Sequence, residues 1–187
     1  MFAGIDLSLN STGVCIYDST TNQHLYYIIL PHMTRGQRRA MDSSNGKLTY
    51  IEYDKTDSDD ENIYNIKNQI KDILTTHNIT HAYIESPALQ AKGRSVITLS
   101  GLNYSVRQML LENQITFLPI QPTALKSWFT GNGMADKDLM IYCWYQIEKF
   151  KPKAIKVDDM ADAFALCEMC REKTYTISSH KHTFTAI

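Results

Sequence analysis

Before any helical pattern begins, the chain lays down three short β-forming segments: Phe2 to Ile5, Val14 to Tyr17 and Leu25 to Ile29. Between them lie Ser8-Leu9-Asn10-Ser11 and Ser19-Thr20-Thr21-Asn22. Ser, Thr and Asn turn a chain because their short polar side chains compete for nearby backbone hydrogen bonds. Segments this close in sequence leave little room for a crossover, so the opening predicts three antiparallel strands in a meander. Any fold for this chain has to start from a sheet.

A polar stretch from His32 to Asn45 then carries Arg35, Arg38 and Arg39, a solvated loop by default and a surface suited to phosphate. Leu48 to Tyr53 has the composition of a further strand. Ser58 and Glu61 form an S-x-x-E capping box, and Ile63, Ile66, Ile70, Ile73 and Leu74 follow at helical spacing. The acidic run from Asp57 to Glu61 therefore reads as a favourable helix start rather than a metal site. A buried strand is expected at His81 to Glu85, and a helix from Ser95 to Asn113 with Val96, Leu99, Val106, Met109 and Leu110 on one stripe. A strand at Ile115 to Ile120 follows, then helices at Pro122 to Phe129, Asp136 to Lys149 and Asp158 to Lys173, and a polar tail from about residue 175. The Tyr142, Trp144 and Tyr145 cluster reads as packing and interface. The order predicts a single α/β domain over residues 1–187. Its mixed sheet has five strands, three antiparallel plus two parallel, flanked by helices.

Composition narrows the class. Of 187 residues, 43% are hydrophobic and 21% charged, with 8 Gly and 5 Pro, which excludes wholesale disorder and collagen-like repeats. Lys and Arg number 19 against 20 Asp and Glu, a net charge of -1, so a nucleic-acid partner has to be met by a local basic surface. Cys15, Cys143, Cys167 and Cys170 form no disulfide framework, which fits a reducing compartment. Cys167 and Cys170 have C-x-x-C spacing, but they lie in an apolar helical run with no second pair and read as core. The histidines, including His180 and His182, show no ligand spacing. No apolar run reaches the roughly 18 residues a membrane span needs, and Asp6 interrupts the start. The expectation is a soluble, cytoplasmic protein with no membrane partner, in which Asn10, Asn78 and Asn103 are not glycosylated.

The chemistry-bearing residues are acidic. Asp6 ends the first strand, Glu85 ends a later one, and Asp158, Asp159 and Asp162 open the last helix. Carboxyl ends of neighbouring parallel strands lie side by side on the edge where ligands commonly bind. Asp159 and Asp162, three apart, share a helix face, as do Asp158 and Asp162, four apart. Two like charges about 4 Å apart repel by about 4 kcal/mol at an effective dielectric of 20, beyond the roughly 0.3 to 1 kcal/mol that a helix N-terminus returns. Hard divalent cations with oxygen ligands neutralise such a cluster, and a two-metal site suits in-line phosphoryl displacement. Taken singly each acid is a cap or a surface charge. Together they point to phosphodiester hydrolysis.

Four ordered stretches carry a family resemblance. Gly4-Ile5-Asp6-Leu7-Ser8-Leu9-Asn10-Ser11-Thr12-Gly13, Ile84-Glu85-Ser86-Pro87, Gly131-Asn132-Gly133-Met134-Ala135-Asp136-Lys137 and Asp159-Met160-Ala161-Asp162-Ala163-Phe164-Ala165 resemble the RuvC family of Holliday junction resolvases, particularly phage-type members. The resemblance implies an RNase H-like fold, a homodimer with the Ser95 to Asn113 helix as its seam, and Mg²⁺- or Mn²⁺-dependent paired nicking of branched DNA. Two ions per site are implied. It makes Asp6, Glu85, Asp159 and Asp162 the catalytic, metal-binding acids, and places Lys126 and Lys137 near the scissile phosphate. Lys92 and Arg94 join Arg35, Arg38 and Arg39 as candidate DNA contacts. The chain departs from cellular relatives after Glu85, where Pro87, Ala88, Leu89 and Gln90 stand in place of a base-engaging aromatic. Two other readings are an actin-like kinase or ATPase fragment, which ATP turnover would reveal, and a catalytically silent branched-DNA binder.

Overall fold

Among the described residues, six strands form one sheet in the order β4-β3-β2-β1-β5-β6. They are β1 (Phe2–Asp6), β2 (Thr12–Asp18), β3 (Gln23–Pro31), β4 (Leu48–Tyr53), β5 (His81–Glu85) and β6 (Thr116–Ile120). The computed structural model describes residues 1–34, 47–87, 93–149 and 156–181, with Arg94 and residues 175–181 described by backbone alone. β1, β2 and β3 are the expected antiparallel meander, and β5 and β6 lie parallel beyond β1. The expected count of five strands is corrected to six. Leu48–Tyr53 pairs in parallel with β3, from Tyr26 beside Leu48 to Pro31 beside Tyr53, and extends the sheet at its far edge.

Five helices stand among the described residues: α1 (Asp59–Thr76), α2 (Arg94–Glu112), α3 (Pro122–Thr130), α4 (Lys137–Glu148) and α5 (Val157–Lys181). Their starts follow the capping logic of the sequence. Ser58 accepts from the Glu61 N–H at 3.3 Å, and Asp136 accepts from the Leu139 N–H at 2.9 Å. The last helix runs past the expected stop at Lys173, through the polar residues to Lys181. No Pro or Gly interrupts that stretch.

Side-chain alternation along the strands divides the core in two. Ala3 and Ile5 of β1, with Ile16 and Ile84, face α1 and α2, where Ile66, Ile70, Leu74, Leu102 and Val106 meet them. Phe2, Cys15, Tyr26 and Tyr83 face α5, which between Met160 and Cys170 is buried nearly all round between the sheet and α4. Trp144 of α4 is fully buried and donates from its indole to the Tyr26 hydroxyl at 3.0 Å, so it belongs to the core.

Two glycines set how closely α5 lies on the sheet. A Cβ on Gly4 would come within 2.1 Å of the Ala163 carbonyl oxygen, and one on Gly13 within 2.4 Å of the Asp159 carbonyl oxygen. Gly13 is the cross-strand partner of Asp6. The helix backbone therefore rests on the strand backbone beside that acid, an approach no side chain would permit.

Candidate active site

Phe2, Gly4 and Asp6 alternate onto one face of β1, so the parity that puts Gly4 under α5 also turns Asp6 toward it. β1 and β5 run parallel in register, Ile5 beside Ile84, which places Glu85 next to Asp6 at the carboxyl edge of the sheet. The two carboxyls act on each other directly, which favours a proton on Asp6. From above, the first two turns of α5 bring Asp159 and Asp162 onto the same spot, and Asp6 feels the charge of both. Four acids separated by up to 156 positions in sequence, counted from Asp6 to Asp162, thus meet in one cluster.

Burial and mutual repulsion raise the proton affinity of this group. Asp6 is held well above the ordinary carboxylate range, by desolvation first and then by Glu85 and Asp162. Desolvation also raises Glu85, although the neighbouring Asp6 carboxyl and the Lys126 charge oppose it. Asp162 is pushed up to about 7 by burial and by Glu85. Asp159 is raised by burial too, against the hydrogen bond that Ser11 donates to its Oδ2. One oxygen of Asp162, Oδ1, is buried with no hydrogen-bond partner among the described residues. Buried acceptors are normally satisfied. An all-oxygen cluster with an unclaimed lone pair and excess negative charge fits a hard divalent cation. Asp6, Glu85, Asp159 and Asp162 are the residues that would hold it.

Asp158 stands apart. Burial works against its ionisation, but Lys137, which donates to its Oδ2, outweighs that and lowers it. The two lysines flank the acids: Lys126 of α3 acts on Glu85 and Asp162, and Lys137 at the start of α4 acts on Asp158, Asp159 and Asp162. Arg35, Arg38, Arg39 and Lys92 lie outside the described residues, as do Ala88, Leu89 and Gln90, and Arg94 opens α2 with its side chain undescribed.

Four contributors escape a reading by residue type. Ser11, 2% exposed, sits in the β1–β2 turn, where Thr12 Oγ1 ties back to the Ser8 carbonyl at 2.8 Å. Gly4 and Gly13 act by what they lack. Asn103 of α2 donates its Nδ2 to the Glu85 carbonyl at 2.8 Å. No periodicity signals that contact.

A separate cluster of Cys15, His24 and Cys167 is buried on the α5 face, with donor atoms within 4.8 Å of one another. Both His24 ring nitrogens are already engaged, Nδ1 by Glu148 at 2.7 Å and Nε2 by Glu168 at 2.9 Å. That leaves the imidazole no lone pair for a metal. The four cysteines are free, and Cys167 and Cys170 are core residues. No helix among the described residues is long and apolar enough to cross a membrane.

Comparison with known proteins points the same way. The profile of the family described as crossover junction endodeoxyribonuclease RuvC matches residues 37–170. The crossover junction endodeoxyribonuclease RuvC of Wolbachia sp. subsp. Brugia malayi (strain TRS) is 24% identical over 176 residues, covering 93% of this chain and 96% of the relative. Among solved structures, Thermus thermophilus RuvC in complex with Holliday junction substrate aligns with a TM-score of 0.65 at 13% identity, over 94% of this chain and 96% of that one. Thermus thermophilus RuvC by itself gives 0.59 at 16% identity, covering 89% and 90%. The yeast mitochondrial Holliday junction resolvase gives 0.55 at 12% identity, covering 97% and 83%. These structural likenesses establish the RNase H-like fold.

Proposed function

The chain belongs to the RuvC family of crossover junction endodeoxyribonucleases, and from that premise we propose that Asp6, Glu85, Asp159 and Asp162 form the site at which it cuts branched DNA. One observation carries the assignment. Four acids from β1, β5 and α5 converge where backbone contact at Gly13 fixes the helix, and an Asp162 oxygen has no hydrogen-bond partner among the described residues.

The family's nucleases are metal-dependent, and Mg²⁺ or Mn²⁺, two ions per site, suits this donor set. When bound, such ions supply the positive charge that keeps the acids ionised together, make water nucleophilic and stabilise the departing oxygen. The chain does the rest. Asp6, on a central strand, is the fixed point of the cluster, and Glu85 is placed beside it by strand register. Ser11 orients Asp159 by donating to its Oδ2, which leaves Oδ1 to serve as a cation ligand. Lys126 and Lys137 supply cations on two sides of the acids, where a phosphodiester and its developing charge are to be held. In-line displacement of the 3′-oxygen leaves 5′-phosphate and 3′-hydroxyl ends.

Paired nicking needs two sites at a fixed separation. On α2, Ile97, Tyr104 and Leu111 are 75%, 66% and 67% exposed at seven-residue intervals, an apolar stripe that supports a homodimer seam. Junction recognition is then by shape and phosphate contact, and is salt-sensitive, in keeping with a net charge of -1. Labelled four-way, three-way and linear DNA incubated with Mg²⁺ or Mn²⁺ tests the reading. Symmetric nicks in the branched substrates with ligatable ends support it. Junction binding without cutting returns the silent-binder reading, and ATP turnover without cutting the actin-like one.

A further inference from the structure

Glu85 is the last residue of β5, and its main chain ends the ladder on one side. The Ser86 N–H donates to the Ile120 carbonyl of β6 at 2.8 Å. Across a trans peptide the preceding carbonyl points the opposite way, so the Glu85 carbonyl faces the β1 side. The β1–β5 ladder stops at Ile5 and Ile84, and β1 offers this oxygen no ladder partner. Asn103 fills the vacancy from another element, donating Nδ2 at 2.8 Å. Beside this bond lies a cavity of about 140 Å³, lined by Leu7, Pro87, Leu99, Asn103 and Pro122 together with Glu85 itself. Loose packing there leaves the position of Glu85 to the hydrogen bonds rather than to side-chain contact.

Asn103 is 2% exposed, and its Oδ1 has no hydrogen-bond partner among the described residues. A buried carboxamide satisfied at only one end is a poor stabiliser, and an apolar residue of the same shape would suit the surroundings. The donor end explains its presence. We propose that Asn103 is a positioning residue for the reaction: it holds the Glu85 main chain, and thereby the Glu85 carboxylate, at its place among the four acids. The proposal rests on the nuclease reading of those acids. It also hangs the catalytic edge on α2, the helix whose outer face carries the exposed stripe Ile97, Tyr104 and Leu111.

The test compares the parent protein with Asn103→Leu, which keeps the shape and removes the donor, and with Val106→Ala, which loosens the packing of the same helix about one turn beyond Asn103 and leaves the Asn103 donor in place. Mn²⁺ binding to the DNA-free proteins is measured by titration calorimetry, with nicking of a four-way junction followed against Mn²⁺ concentration and thermal melting as the stability readout. Asn103→Leu is expected to melt close to the parent and to bind Mn²⁺ about 10-fold more weakly, the lower end of the loss usual when a group orienting a metal ligand is removed. Its nicking should need correspondingly more Mn²⁺ and recover at saturation. Val106→Ala should melt lower and bind Mn²⁺ as the parent does. Parent-like Mn²⁺ binding by Asn103→Leu, or an equal loss in Val106→Ala, overturns the positioning role while leaving the nuclease reading intact. A parent that neither binds Mn²⁺ nor cuts overturns both.

Discussion

The main chain of Asp159 rests on Gly13: a Cβ added to that glycine would sit 2.4 Å from the Asp159 carbonyl oxygen and 3.0 Å from its carbonyl carbon. Both surfaces are backbone, so neither side can yield by turning a side chain. Gly13→Ala should lift the first turn of α5 from the sheet and cost about 1–3 kcal/mol or more of stability, the scale of an overpacked core. Cleavage should fall further than stability explains, because Asp159 and Asp162 move with the helix. Thermal melting beside junction nicking checks this. Gly13→Ala with parent-like rates would mean that helix height does not set the site.

Neighbouring acids on α5 should behave differently. Asp158 is committed to Lys137, whereas Asp159 is held by Ser11 and contributes to the cluster around Asp6. Asp159→Asn should slow nicking by about 10²–10³-fold, the range for a lost electrostatic contact to the transition state. Asp158→Asn should slow it far less. Single-turnover nicking rates settle the ranking, and the reverse order would shift the working face of the helix by one residue.

Asp6 to Gly13 and Ile84 to Pro87 were legible because a carboxylate directly after a buried β-forming run has no structural excuse. The strand meander and α1 with its capping box were legible for similar local reasons. The pairing of β4 with β3 was not, since register between an edge strand and its neighbour is set by tertiary contact rather than by composition. Contacts spanning the chain were equally silent. Ser11 to Asp159 crosses 148 positions, and His24 to Glu148 crosses 124. Neither end of such a pair marks the other. Gly4 and Gly13 lie within the motif that carried the resemblance, yet their role is visible only once α5 is in place.

His24 joins α4 and α5 to the sheet through Glu148 and Glu168. Burial alone would lower its proton affinity, but the two glutamates outweigh this and raise its pKa from 6.5 to about 9. For a histidine raised in the folded state, the stabilisation is complete below the unfolded value and is lost as pH rises through the folded one. The melting temperature should therefore fall between about pH 6.5 and 9. In His24→Gln that slope should flatten. An unchanged slope would remove the histidine from the account.

Asp162 gives a slope of the same sign from a different cause. Burial first and Glu85 next raise it from 3.8 to about 7, so in metal-free protein the folded state binds a proton that the unfolded chain has released. Stability should then decline as pH rises across that window. Added Mg²⁺ or Mn²⁺ replaces the proton, so it should raise the melting temperature more at pH 8 than at pH 5, and chelator should reverse the gain. Asp162→Asn should lose this metal response. Equal metal stabilisation at both pH values would separate Asp162 from the cation site.

Cleavage by Asp6→Asn and Glu85→Gln is the most direct measurement of all. The parent and both variants are mixed with a labelled four-way junction in Mg²⁺ or Mn²⁺, with junction binding followed alongside. Both variants should retain binding and lose nicking by at least about 10²–10³-fold. Parent-level cutting by the two variants would contradict the assignment of the carboxylate cluster as the place where the DNA backbone is broken.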